Sequence, residues 1–370
     1  MSAAFSGVNG ELGNEFHRGI MAYLDHVNES GGIHGRSIRV VSLDDGYDPD
    51  ACFRNTVSFL RESPPFALFA YTGTPTSTRI LPLLHKFKEK EMFLLFPMSG
   101  AQPFREPPYG RYVYNLRASY FEETRGLVEH LVAVGRKRIA VFYQGDVFGR
   151  CGWDGVRRAL ARHGLDTVAE AAYDRDAAPE KDFGPEVELL RRGNPDAVVC
   201  IGTTIPCSAF IVSARQGGLT APVALLSSVS TEKMLDRLGR EEQRLGIPLS
   251  RDIIQSQVVP SYEDLSLPGV RLYRELMDRY REGGGRDYSF QSLEGFLNSR
   301  LLCEIVRRMG PEASRDELPQ VMESITGLDL GIGEPVRFGH DRRQGLDAVY
   351  YTTLENGRHH AVRDWERWRK

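Results

Sequence analysis

Small hydroxyl residues gather where apolar runs give way to turns. Gly73-Thr74-Pro75-Thr76-Ser77-Thr78 follows the apolar run Phe66–Tyr71 and directly precedes a helical pattern. Hydroxyls there offer side-chain donors, and a helix amino end offers unpaired N–H groups. Together they suit an anion such as a carboxylate. Thr76 could equally be a plain N-cap of that helix. Pro97-Met98-Ser99-Gly100-Ala101 follows the next run, Met92–Phe96, and its small residues let backbone approach a ligand or simply turn. Gln144-Gly145-Asp146-Val147-Phe148-Gly149 and Gly202-Thr203-Thr204-Ile205-Pro206 hold the same place after two later runs. Phe148 is there an apolar wall or a loop anchor.

Other constellations carry less chemistry. The acidic run Asp44-Asp45-Gly46-Tyr47-Asp48-Pro49-Asp50 lacks the alternating acids ahead of glycine that an EF-hand needs. It fits a loop whose acids favour the amino end of the next helix. His359-His360 are adjacent imidazoles in a polar tail, an arrangement that does not ordinarily bind metal. Neither a metal nor a cofactor is expected. The nucleophile elbow, Walker loop, zinc-protease pair and dinucleotide fingerprint are missing, which favours binding over catalysis. The five cysteines include no Cys-x-x-Cys pair and suit buried small hydrophobes, with a single disulfide left open.

These loops need a scaffold, and the chain supplies one by alternation. Strand-like runs Ile38–Leu43, Phe66–Tyr71, Met92–Phe96, Arg138–Tyr143, Ala197–Ile201 and Val223–Leu226 are separated by helical stretches. The first helix carries Phe16, Ile20, Tyr23, Leu24 and Val27 on one face. Others are expected at about 50–62, 76–90, 120–133, 152–163, 183–192 and 207–216. Such alternation implies βαβ units on parallel sheets, with helices on both faces. The strands are too many for one comfortable sheet and divide between two lobes. The order changes late: a strand at 253–259, helices at 269–280, 291–309 and 314–325, then a β-rich tail including 347–354. Gly283-Gly284-Gly285 fits a loop tip.

Composition bounds the partners. The 370 residues are 41% hydrophobic and 26% charged, and 47 Lys+Arg against 50 Asp+Glu leave a net charge of −3. That balance leaves no footprint for nucleic acid and no polybasic patch for a membrane. No run approaches the roughly 18 apolar residues of a spanning helix. The opening Met1-Ser2-Ala3-Ala4-Phe5-Ser6-Gly7 has neither basic region nor apolar core, so an export signal is not expected within it.

Phe5-Ser6-Gly7 … Leu12-Gly13, then Gly31-Gly32-Ile33-His34-Gly35-Arg36 and Asp44-Asp45-Gly46-Tyr47-Asp48-Pro49, resemble the opening of the Leu/Ile/Val-binding type of ABC-transporter substrate-binding protein. The resemblance continues in order through Arg138-Ile139-Ala140-Val141, Gly145–Gly149, Asp182-Phe183, Asp196–Val199 and Ser292–Phe296. It implies an α/β, type I periplasmic-binding fold: two doubly wound parallel-sheet lobes joined by three crossovers and closing on a small molecule. One lobe would hold residues 1–117 and 261–328, the other 118–260 and 329–370. Residues upstream of Met1 would form most of a first strand.

The resemblance also places ligand contacts. They fall on Thr74, Thr76, Ser99, Gly100 and Ala101 in one lobe, with Arg117 and Tyr120 at the first crossover. In the other lobe they fall on Phe148, Thr204, Ser227 and Ser228. Two departures stand out. A disulfide of many relatives has Tyr47 and Thr74 at its positions here. The acid that pairs with a ligand ammonium is missing from Leu225-Leu226-Ser227-Ser228-Val229. The implied activity is capture of a small polar or carboxylate-bearing molecule for an ABC permease, in the periplasm or outside the cell. The alternative is the sensing domain of a membrane-bound kinase or cyclase.

Overall fold

The computed structural model describes residues 1–62, 64–87, 92–280 and 288–370. The expected loop tip 283–285 and the end of the helix expected at 76–90 lie outside them. The chain divides into two compact units, Met1–Ala118 with Val259–Ala348 and Ser119–Val258 with Val349–Lys370.

Met1–Ala118 contains β1 (Ser2–Ala3), α1 (Gly10–Glu29), β2 (Leu43–Asp44), α2 (Pro49–Glu62), β3 (Leu68–Phe69), α3 (Thr74–Lys86), β4 (Leu94–Leu95) and β5 (Val113–Tyr114). Ser119–Val258 contains α4 (Tyr120–Ala133), β6 (Ile139–Gln144), α5 (Val147–Ala161), β7 (Ala169–Tyr173), α6 (Gly184–Arg192), β8 (Ala197–Ile201), α7 (Thr204–Gln216), β9 (Val223–Leu225), α8 (Thr231–Leu245) and β10 (Ile253–Gln257). The chain returns to the first unit with α9 (Pro268–Arg279), α10 (Phe290–Met309), α11 (Leu318–Glu323), β11 (Leu328–Asp329) and β12 (Pro335–Val336). It ends in the second with β13 (Tyr350–Glu355) and β14 (Arg358–Ala361).

In the first unit, β1 pairs in parallel with β2, and β3, β4 and β5 form a parallel ladder. These strands are shorter than their apolar runs. Ala70 and Phe96, just past β3 and β4, both have φ +54, a left-handed backbone that interrupts the pleat. The apolar face of α1 is buried as its spacing predicts, and it crosses α10 with backbones nearly touching. A Cβ on Gly19 would stand 1.8 Å from the Ser292 carbonyl oxygen, and one on Gly295 would stand 2.1 Å from that of Phe16. No side chain fits at either position.

The second unit is built on one sheet in the order β14-β13-β10-β9-β8-β6-β7. Strands β7, β6, β8, β9 and β10 run parallel, and the hairpin β13–β14 adds antiparallel to β10. Strand β8 is buried along its whole length, as an unbroken Ala-Val-Val-Cys-Ile run requires. From β6 the chain goes to β7 on one side and returns to β8 on the other. That makes β6/β8 the switch point of the sheet.

Several expectations need correction. Residues 329–348 lie in the first unit, not the second, because Asn115 N–H bonds to the Arg343 carbonyl at 2.8 Å and Gly345 N–H to that of Asn115 at 2.8 Å. Strand β7 and helix α8 were not foreseen. Of the run expected at 38–43, only Leu43 is paired, together with Asp44. The acidic run is spent on its own turn: Asp44 Oδ1 accepts from Phe5, Ser6 and Gly46 N–H, and Asp45 from Ser2 Oγ and Tyr47 N–H.

Candidate functional site

Ligands of open parallel sheets bind beyond the carboxyl ends of the strands. In the first unit that region holds Thr74 and Thr76 from the first turn of α3, the loop Ser99-Gly100-Ala101, and Arg117, all buried. Gly73 precedes α3 at φ +100, and a Cβ there would meet the Tyr47 ring at 2.7 Å and Thr76 Oγ1 at 2.8 Å. Thr76 is therefore not the N-cap. Its hydroxyl lies inside the helix and donates back to the Thr72 carbonyl at 2.8 Å, which leaves it only as an acceptor. Thr74 Oγ1 and Ser99 Oγ share a bond of 2.7 Å, and Ser99 Oγ also accepts from Ala101 N–H at 3.3 Å.

Two further hydroxyls here were not singled out as contacts from the sequence. Thr72 Oγ1, at the end of the β3 run, and Ser77 Oγ, in the first turn of α3, are buried with no hydrogen-bond partner. A buried hydroxyl without a partner costs about 1–3 kcal/mol, so such atoms mark a place where a bound group can repay. Ser77 was visible in the Thr/Ser run. Thr72 carried no signal beyond standing next to it.

Arg117 is fixed from the side of α10. Its Nη1 lies 3.4 Å from Glu294, and both side chains are almost fully buried. Glu294 is thereby committed within this unit.

The second unit gathers its candidates at the β6/β8 switch point. After β6, Asp146 caps α5, Oδ1 accepting from Phe148 N–H at 2.9 Å and Gly149 N–H at 3.4 Å. Phe148 is 2% exposed, and its ring packs on Tyr120 with centroids 5.1 Å apart. It is an aromatic anchored by burial and by that packing. After β8, Thr204 opens α7, and its Oγ1 accepts from Ser230 N–H at 3.0 Å, which leaves its proton to donate. Ser228 donates to the Gly202 carbonyl at 2.9 Å. The structure thus brings Tyr120 to Phe148 and Thr204 to the Ser227–Ser230 turn.

An acid does reach this turn, although not from the turn itself. Glu123, on α4, is fully buried and accepts from Ser227 N–H at 2.9 Å, Ser227 Oγ at 3.0 Å and Ser256 Oγ at 2.7 Å. It holds the candidate Ser227 in place through both backbone and hydroxyl. A Glu in the first turn of a helix reads in sequence as a partner of the helix dipole and gives no such hint.

The description "periplasmic binding protein" names the family model that matches residues 1–358, nearly the whole chain. The chain belongs to that family. Its relatives among solved structures include a possible leucine/isoleucine/valine-binding protein from Rhodopirellula baltica SH 1. That protein is 30% identical, with TM-score 0.87 over 99% of this chain and 95% of the other. A substrate-binding periplasmic protein from Ralstonia solanacearum is 27% identical, with TM-score 0.86 over 98% of both chains. An amino acid binding protein of Pseudomonas aeruginosa is 23% identical over 245 residues, 65% of this chain and 63% of that protein's length. The periplasmic binding protein family thus accounts for both parallel-sheet units, and its solved members share their fold.

Proposed function

We propose that the protein is the solute-binding component of an ABC importer and that it captures one small carboxylate-bearing molecule with an apolar body. The unpartnered hydroxyls of Thr72 and Ser77, beside the Thr74–Ser99 pair at the amino end of α3, carry this reading. Donors and a helix amino end are what a carboxylate needs. The family and the names of its relatives support solute capture. Phe148 and Tyr120 supply the apolar face, and Thr204 a hydroxyl donor. A ligand ammonium would need an acceptor near Ser227, and the Glu123 carboxylate there already takes three donors. The preferred ligand therefore lacks a free α-ammonium, and Thr74, Thr76, Ser99, Gly100, Ala101, Arg117, Tyr120, Phe148, Thr204, Ser227 and Ser228 are its proposed surroundings.

The experiment is mass spectrometry of small molecules released by denaturing the purified protein, followed by paired titrations of leucine and valine against their deaminated acids. Binding near micromolar corresponds to about −8 kcal/mol. A hundredfold excess of ligand then adds about 2.7 kcal/mol of stability and raises the melting temperature. Tight binding of the amino acid with weak binding of its deaminated partner would overturn the ligand class. No shift from any carboxylic acid or amide would overturn the capture reading.

A further inference from the structure

Two thiols meet in the second unit, where β8 hands over to α7. Cys200 is the fourth residue of β8 and Cys207 lies in the first turn of α7, and both are wholly buried. Neither sulfur belongs to the proposed ligand surroundings. The residue pattern dictates their meeting. Along β8 every second side chain points the same way, so Cys200 shares a face with Val198, and both join one core. Along α7, Cys207, Phe210, Ile211 and Ala214 recur at helical spacing and enter that same core. The Cys200 thiol donates to the Cys207 sulfur at 3.2 Å. Cys207 N–H bonds to the Thr203 carbonyl at 3.1 Å, which fixes the start of α7 over the strand. Gly202 lets the two approach: a Cβ there would stand 2.8 Å from Cys207 Sγ and 2.4 Å from the Tyr173 hydroxyl.

We propose that Cys200 and Cys207 form a disulfide when the chain folds under oxidising conditions, closing a ring around the turn Ile201–Pro206. A sulfur–sulfur bond is about 2 Å long, so the two atoms need to approach by only about 1 Å. The oxidant is the disulfide of another molecule. One cysteine thiolate attacks a sulfur of that disulfide, which forms a mixed disulfide and releases one half as a thiol. The second cysteine thiolate then attacks the sulfur of the first, and the other half leaves as a second thiol. The protons given up by Cys200 and Cys207 end on the two released thiols, whose sulfurs take up the two electrons. Burial pushes the Cys200 thiol well above its ordinary range, so exchange stops once β8 is covered. The bond is therefore made while α7 docks and is afterwards out of reach of soluble thiols. Its consequence is local. The ring contains Gly202 and Thr204, which accept from Ser228 Oγ and Ser230 N–H, so the bond ties that meeting of turns to β8.

The experiment refolds the full chain from denaturant in a buffer of reduced and oxidised glutathione, then blocks the remaining thiols with N-ethylmaleimide under denaturing conditions. Trypsin leaves both cysteines on one peptide, residues 193–215, because no Lys or Arg lies between Arg192 and Arg215. Mass spectrometry should find that peptide unlabelled and lighter by two hydrogens in most of the protein. The same peptide from chain refolded under dithiothreitol should carry two labels. The unmodified sequence is used throughout, so the result does not hang on whether a cysteine variant folds. Two labels after oxidative refolding would overturn the proposal. So would a glutathione adduct left on either cysteine, or a bond from either one to Cys52, Cys151 or Cys303. The readout does not depend on the ligand, so failure here leaves the capture reading standing.

Discussion

Glu123 offers a sharp test of how the second unit holds the Ser227 turn. Replacing it with alanine strands three buried donors: Ser227 N–H, Ser227 Oγ and Ser256 Oγ. Each stranded donor costs about 1–3 kcal/mol. Ser256 Oγ can fall back on the Leu225 carbonyl, 3.2 Å away, so its share lies at the low end. The sum is about 3–7 kcal/mol for Glu123→Ala. Glu123→Gln keeps the shape and one acceptor oxygen, while serine hydroxyls rotate to accept from the new amide. Its cost should be about 1–2 kcal/mol. Adding Ser256→Ala to Glu123→Gln should cost less than the two changes separately, with a coupling of about 0.5–2 kcal/mol. Urea unfolding followed by tryptophan fluorescence is the assay. The three tryptophans, Trp153, Trp365 and Trp368, all lie in the second unit, so the signal reports that unit alone. A Glu123→Ala protein within about 1 kcal/mol of the parent, or indistinguishable from Glu123→Gln, would refute the reasoning.

Arg117→Ala removes the cation that faces the buried Glu294 and should cost about 3–5 kcal/mol in urea unfolding of the first unit, whereas removing both charges with apolar residues should cost far less. Asp45 is pushed up from 3.8 to about 6, chiefly by burial, with the Ser2 and Tyr47 bonds pulling the other way. The native state then keeps a proton that the unfolded chain has already lost, so this group's stabilisation falls by about 3 kcal/mol as pH rises from about 4 to 6. Asp45→Asn should flatten that part of the stability profile, and an unchanged slope would count against the assignment. Burial raises the Cys52 and Cys200 thiols, and pushes that of Cys303 up to about 12. With Cys207 also buried, native alkylation at pH 8 should label only the half-buried Cys151, and labelling of Cys200 or Cys207 would show that the core opens.

The elements legible in the sequence are those whose burial leaves a continuous apolar trace. The runs containing β6 and β8 stand out because both faces of those strands are covered, and α1 because its buried face repeats at helical spacing. The unforeseen ones bury few large apolar residues and so leave a short apolar trace. β7 is Ala-Glu-Ala-Ala-Tyr, and α8 buries only Thr231, Met234 and Leu238 in fifteen residues. Thr76 looked like a cap because the helix start was placed two residues late, at a threonine, when Gly73 and Pro75 set it earlier. The candidate loops could be found by position alone, since each follows an apolar run. What joins them could not. Glu123 meets Ser227 across 104 positions and Arg117 meets Glu294 across 177, and no local pattern encodes a partner that distant.

The last twenty-odd residues set a schedule for synthesis. In the finished chain β13 covers the outer edge of β10, yet the ribosome makes it only after the whole returning segment Val259–Ala348 has been laid down. At about 5–20 residues per second, those roughly ninety residues take about 5–20 s. Throughout that interval the nascent second unit presents Ile253–Gln257 as an unpaired strand edge, open to pairing with any other exposed strand. The first unit waits as well, since Gly19 of α1 cannot dock until Ser292 and Gly295 of α10 have emerged. Each unit is closed by sequence that arrives after an insertion of the other, so each keeps an open edge until that later sequence has been made.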